Sequence, residues 1–219
     1  MSGRKIENSR AHNKTAERCA EAIAALRDGD VIVFPTETLY GLGADALNCR
    51  AVEQVFQLKG RDPLNPIPVL VADQRMLYHL VADLPTLAQK LMHQYWPGPL
   101  TLILPGRKDI PPPLLNAAGG VGVRLSSEPV ATQLVRALGR PLTATSANPS
   151  GQEPARTLQE ANKYFADRIQ IFVDGGTLTS KRGSTVAEVM ADRIKIIREG
   201  EIRAVELRRL VGSGKILTT

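Results

Sequence analysis

Residues 31–46 read VIVFPTETLYGLGADA. The run that opens this stretch, DVIVFPT at 30–36, is short, continuously apolar and closed by a proline. That is the pattern of a strand buried on both faces of a sheet, not of one washed by solvent. Behind Pro35, Thr36, Glu37 and Thr38 offer side-chain oxygens, and the glycine-bearing loop TLYGLGAD follows. Gly41 and Gly43 permit close backbone approach, and a structural turn alone also explains them. The loop lacks the GKS or GKT ending of a phosphate-binding P-loop.

Working outward, TAERCAEAIAALRDG at 15–29 has helical periodicity, with Thr15 as N-cap and Gly29 as the stop. Downstream, CRAVEQVFQLKG reads as a helix with Ala51, Val52, Val55, Phe56 and Leu58 broadly on one side. A proline-led strand NPIPVLVAD comes next, then the helix DLPTLAQKLMHQYW stopped by Pro97. Strands PLTLILP and GGVGVRL precede the helix EPVATQLVRALG, closed by Gly139. RPLTATSANPSG is a strand running into a polar turn, residues 157–165 are helical, and IQIFVDGG is a strand. STVAEVM and RIKIIREG form a hairpin-like pair, and AVELRRLVGSGK a basic tail helix. Strands and helices alternate throughout, which implies an α/β domain around a mixed sheet. No linker or repeat divides the chain. The expected organisation is a polar N-terminal extension over 1–14, one domain over 15–212 and a C-terminal tail over 213–219.

Composition narrows the chemistry. The 219 residues are 43% hydrophobic, ample for a sizeable core. Two cysteines, Cys19 and Cys49, and three histidines, His12, His79 and His93, sit at no metal-ligand spacing and make no disulfide framework, so a reducing cytosol is the expected compartment. The polar opening MSGRKIENSR has no signal-peptide core, and no run approaches membrane-spanning length. The net charge is +6, and residues 180–219 carry nine positive against five negative charges. That surplus fits a solvated tail helix, and equally an anionic ligand such as a nucleotide phosphate or an RNA backbone.

Chemistry in α/β folds collects in the loops at strand ends. Lys59-Gly60-Arg61 ends an apolar helix and enters the proline-braced DPLNP, which would present a point charge and a forked guanidinium to an anion. Cations in a last helical turn also suit the helix dipole without further purpose. TATSANPSG at 143–151 gathers Ser146, Asn148 and Ser150, able to hold a phosphate or ribose or simply to make an Asx turn. Arg124 ends an apolar strand and needs an acidic partner or a carboxylate ligand. Ser184, Thr185 and Arg198 lie in or beside two late strands. There is no GxSxG elbow, HExxH or Ser-His-Asp pattern. Fixed cations and hydroxyls without a protein nucleophile suit phosphoryl or nucleotidyl transfer, where positioning and charge stabilisation do most of the work.

At these residues the chain resembles the YrdC family of threonylcarbamoyl-AMP synthases. The resemblance runs from about Ala16 to about Gly212, through VIVFPTETLYGLGADA, KGR, YWPGPLTLILP, VGVRLSS, TATSANPSG, FVDGG and GSTVAEV, all in the family's order. The family's KxR…SxN quartet stands here as Lys59, Arg61, Ser146 and Asn148. The resemblance implies a single YrdC-like domain, a twisted mixed β-sheet flanked by helices around a large basic concave cleft. It implies formation of threonylcarbamoyl-AMP and pyrophosphate from L-threonine, bicarbonate or CO2, and ATP. The product feeds a tRNA threonylcarbamoyl transferase complex that modifies the adenosine next to the anticodon. By the same resemblance, Lys59, Arg61, Ser146, Asn148 and Arg198 contact ATP, and Thr36, Arg124 and Ser184 hold threonine. Mg2+ travels with ATP and not in a protein cage. Some family members have a threonine-contacting histidine where this chain has Leu70.

Three other readings compete. A tRNA- or double-stranded-RNA-binding module would use the basic cleft, although nine aromatics in the chain are a poor base-stacking surface. A sister carbamoyl-transfer enzyme using carbamoyl phosphate would come with zinc-finger cysteines. A catalytically silent paralogue is the third: the intact quartet argues against it, and Leu70 in place of the family's histidine keeps it open.

Overall fold

The computed structural model describes residues 17–218. The extension over 1–14 and the cap at Thr15 lie outside the described residues. The first helix, α1, runs over 17–28 and stops at Gly29, whose φ of 91° is left-handed. The apolar run then forms β1 (Ile32–Phe34). As its sequence demands, β1 is buried on both faces: Val31 and Val33 join one apolar cluster, Ile32 and Phe34 the other.

The stretch expected to be a loop carries a strand, β2 (Gly41–Gly43), antiparallel to β1 with Phe34 opposite Gly41 and Ile32 opposite Gly43. The reason lies in the Phe34 ring. A Cβ at Gly43 would sit 2.8 Å from it and one at Gly41 3.2 Å away, so the two glycines leave β2 flat enough for the ring to lie across it.

Downstream of α2 (Cys49–Lys59) come β3 (Val69–Leu70), α3 (Gln74–Tyr78) and α4 (Thr86–Tyr95). Then follow β4 (Leu100–Pro105), β5 (Gly120–Arg124), α5 (Pro129–Leu138), β6 (Leu142–Thr143) and β7 (Thr145–Ser146). The chain continues through α6 (Leu158–Phe165), β8 (Ile171–Phe172), β9 (Thr185–Val189), β10 (Ile194–Arg198), α7 (Ala204–Val211) and β11 (Ile216–Thr218). The short α3 follows directly on the strand expected over 65–73, where the Asp73 carboxylate accepts from the Met76 amide as N-cap.

The α/β class is as expected, with one difference: the strands divide into two mixed sheets. One has the order β7-β2-β1-β8 and the other β11-β10-β9-β4-β5-β3-β6. The division falls inside TATS. β6 pairs with β3, β7 pairs with β2, and Ala144 between them is where the chain changes sheet. Thr143 stitches the seam, its hydroxyl accepting from the Ala44 amide at 2.8 Å and donating to the Leu42 carbonyl at 3.3 Å. The loop that follows β7 therefore hangs where two sheets meet. The expected late hairpin is β9 and β10, antiparallel with a register shift between Ile196 and Arg198. The segment expected as a tail, 213–219, carries a 3-10 turn (Ser213–Lys215) and then β11, which adds to β10 in parallel.

Candidate active site

A cavity of about 620 Å3 opens between the sheets, and Thr36, Arg61, Arg124, Ser146, Ser184 and Arg198 lie on its wall. Six of the eight residues that the family resemblance assigns to ATP or threonine thus face one space. Lys59 and Asn148 do not reach the wall; they lie buried behind it.

The KGR spacing explains this split. Helix α2 ends at Gly60 with φ 57°, and the amides of Gly60 and Arg61 turn back to the carbonyls of Gln57 and Phe56. This reversal separates the two cations. Lys59 stays under the helix and donates from Nζ to the carbonyls of Ser146 (2.6 Å) and Asn148 (2.8 Å). The Ser150 amide donates to the Lys59 carbonyl, so the strand-end loop 146–150 is fastened to the helix end from both directions. Burial, reinforced by the charge of Arg61, lowers the Lys59 ammonium from its ordinary value to about 7. Arg61 emerges on the far side, where the Asp62 side chain caps the turn by accepting from the Leu64 amide. Its guanidinium donates to the Asn65 carbonyl at 2.7 Å and to the Pro66 carbonyl at 3.3 Å.

Opposite stand Arg124 and Arg198. Arg124, at the end of β5, is buried and donates to the Thr38 hydroxyl at 3.4 Å, with the Glu37 carboxylate 3.8 Å away. Glu37 supplies the acidic partner that an arginine beside a strand core requires. Arg198, at the end of β10, donates to the Ser184 carbonyl at 2.8 Å and approaches its hydroxyl at 3.4 Å. The Ser184 hydroxyl shares a hydrogen bond with that of Thr101 at 2.8 Å. Desolvation lowers all three guanidinium groups below their usual range, and Arg198 is lowered further by the charges of Arg124 and Arg61. Arg198 is thus repelled by the other two cations, and the four arginines on the wall, Arg182 included, outnumber its carboxylates Glu188 and Glu199, with Glu37 set beside Arg124, so the site favours an anion.

Thr36 has a structural task as well. Its hydroxyl donates to the Leu39 carbonyl at 2.7 Å and accepts from the amides of Thr38 and Leu39, closing the turn between β1 and β2. Asn148 donates to the carbonyls of Pro149 and Gln152, while its buried Oδ1 has no hydrogen-bond partner among the described residues. Leu70 packs in the smaller apolar cluster and does not line the cavity, so its side chain is a core residue. Sequence reasoning offered Glu37 and Thr38 only as side-chain oxygens in the loop, without pairing them to Arg124, and gave no role to Thr101. The signal for Thr101 was there, as the one hydroxyl in the apolar run PLTLILP. No three His, Cys, Asp or Glu side chains are grouped to hold a metal among the described residues.

Comparison with known proteins gives a consistent picture. The family model Sua5/yciO/yrdC, described as telomere recombination, matches residues 24–200. A threonylcarbamoyl-AMP synthase of Bacillus subtilis is 40% identical over 195 residues, 88% of this chain and 56% of its own. The crystal structure of Pyrococcus abyssi Sua5 complexed with L-threonine superposes with a TM-score of 0.86 at 33% identity, covering 91% of this chain and 58% of that one. The crystal structure of Escherichia coli YciO has a TM-score of 0.78 at 28% identity, covering 86% and 91%. The chain thus spans just over half the length of the first two.

Proposed function

The chain belongs to the Sua5/yciO/yrdC family, and on that premise we propose that it is an L-threonylcarbamoyladenylate synthase. It joins L-threonine, bicarbonate or CO2, and ATP into threonylcarbamoyl-AMP and pyrophosphate. The observation that carries this reading is the single cavity in which Arg61, Arg124 and Arg198 face one another beside Ser146 and Ser184. A site of that kind accepts a polyphosphate and a carboxylate together.

The chemistry asks little of the protein beyond placement. Threonine's amine adds to the carbon of CO2 and loses a proton, giving a carbamate. A carbamate oxygen then attacks the α-phosphorus of ATP, and the bond to the bridging oxygen breaks as pyrophosphate leaves. Both nucleophiles come from substrates, so no side chain needs to form a covalent bond. Arg61 and Arg198 take the phosphates and the charge growing on the leaving group. Arg124 takes the threonine carboxylate, with Thr36 and Ser184 beside it. Ser146 contacts the nucleotide, and Lys59 with Asn148 holds the loop that presents it. Mg2+ rides on the ATP phosphates and offsets part of their charge. The product, a reactive mixed anhydride, passes to a transferase complex that modifies tRNA, a role that suits a cytoplasmic protein. No helix among the described residues is long and apolar enough to cross a membrane.

The test is incubation with ATP, bicarbonate and L-threonine while pyrophosphate is measured. Release that depends on threonine supports the reading, and release no greater than with L-serine sinks it.

A further inference from the structure

One cavity that holds a triphosphate and an amino acid has a sorting problem. Each of Arg61, Arg124 and Arg198 attracts either ligand's anionic groups, and a triphosphate carries the larger charge. Glu37 breaks the equivalence. Among the described residues no carboxylate comes within ion-pair distance of Arg61 or Arg198: Glu188 and Glu199 are the carboxylates on the wall, and Glu199 pairs with Arg182 at 3.5 Å, while Glu37 lies behind Arg124. Of the three, Arg124 alone has an acidic neighbour, and that neighbour is held fast. The Ser126 hydroxyl donates to Glu37 Oε2 while accepting from the Glu128 amide, and the Thr36 hydroxyl closes the turn that carries Glu37. Glu37 Oε1 is buried with no hydrogen-bond partner among the described residues and lies 3.8 Å from the Arg124 guanidinium. At that separation the carboxylate supplies charge without occupying the donors of Arg124.

We propose that Glu37 is a specificity-determining residue that divides the cavity between a polyanion and a zwitterion. This inference rests on the synthase reading. By cancelling the charge of Arg124, Glu37 removes the excess attraction of that end for phosphate. The net-neutral pair then suits a net-neutral ligand, whose carboxylate meets Arg124 and whose ammonium is favoured through space by Glu37. A phosphate chain has no cation to set against Glu37, so it is left to Arg61 and Arg198. Burying a carboxylate beside an arginine without direct hydrogen bonding contributes little to stability, which argues for a role in recognition.

The experiment is calorimetric titration of L-threonine into the full chain with and without saturating inorganic pyrophosphate. In the wild type, pyrophosphate leaves threonine affinity unchanged. In Glu37→Gln, which keeps the shape and the Ser126 contact, pyrophosphate weakens threonine binding by about tenfold or more, the scale of one charge acting across a few ångströms of partly buried space. Glu37→Asp keeps the charge and the wild-type pattern, and serves if the glutamine variant does not fold. Competition in the wild type or in Glu37→Asp overturns the proposal, as does a folded Glu37→Gln in which pyrophosphate has no effect. If the wild type binds no threonine, the synthase reading fails first and the inference with it.

Discussion

Lys59 is where physical chemistry departs furthest from a simple reading of charge. A neutral amine has two hydrogens, matching the two carbonyls that Nζ faces. A third proton adds a charge that burial and Arg61 oppose, hence the depression to about 7. Phosphate placed in the cavity favours that proton again, so pyrophosphate binding near pH 7.5 should take up more protons in the wild type than in Lys59→Met, read from calorimetry in buffers of different ionisation heat. Equal proton exchange in the wild type and Lys59→Met contradicts this. The same depression has a stability consequence. Between pH 7 and the ordinary lysine value of 10.5 the unfolded chain holds more protons at this group than the folded one. Its contribution to stability of the ligand-free protein therefore rises with pH across that window. Arg61 offers a simpler test. Arg61→Ala should lower turnover by at least ~100-fold, the scale of losing one preorganised charge donor, with the melting temperature little changed. Near-normal turnover would remove it from the site. These residues were legible because each stands beside glycine, proline or small polar neighbours at a strand or helix end. The division of labour between Lys59 and Arg61 was not legible, because it depends on the left-handed turn at Gly60.

At the scale of elements, long periodic segments read true, and the short strands β1, β3, β6 and β8 were read in the right place but not in their extent. The helix that became α2 and the strand that became β4 carry their own patterns, whereas β3, β6 and β7 are two residues each and have no periodicity to detect. The sheet change at Ala144 is a tertiary event that leaves no trace in local sequence. β2 was hidden by its glycines, which read as a loop until the Phe34 ring is seen against them. That packing makes a prediction. Gly43→Ala places a methyl 2.8 Å from a fully buried ring and should cost about 1–3 kcal/mol, as overpacked cores do. A urea midpoint unmoved by the substitution would show that the ring can yield. The loss should reach function as well, since β2 pairs with β7 and so positions Ser146.

For the whole molecule, the +6 charge misleads if read as an even coat. Arg124 is buried, Arg61 is half-buried, and Arg198, though exposed to solvent, lines the same cavity. Part of the surplus thus lines the cavity and is not spread over an outer surface. The scarcity of histidine and cysteine fits the same account, because a carbamate made from substrates needs no protein nucleophile. Two sheets meeting at Thr143 bring the ends of β1, β5, β7 and β10 around one space, and that convergence assembles the site from residues far apart in sequence. The central claim is that this space joins three small substrates in one adenylate. It is tested most directly by supplying radiolabelled bicarbonate with ATP and L-threonine and separating the adenylates formed. The account predicts label in a single AMP-containing product that requires both ATP and threonine. Pyrophosphate released without label entering any adenylate would contradict it.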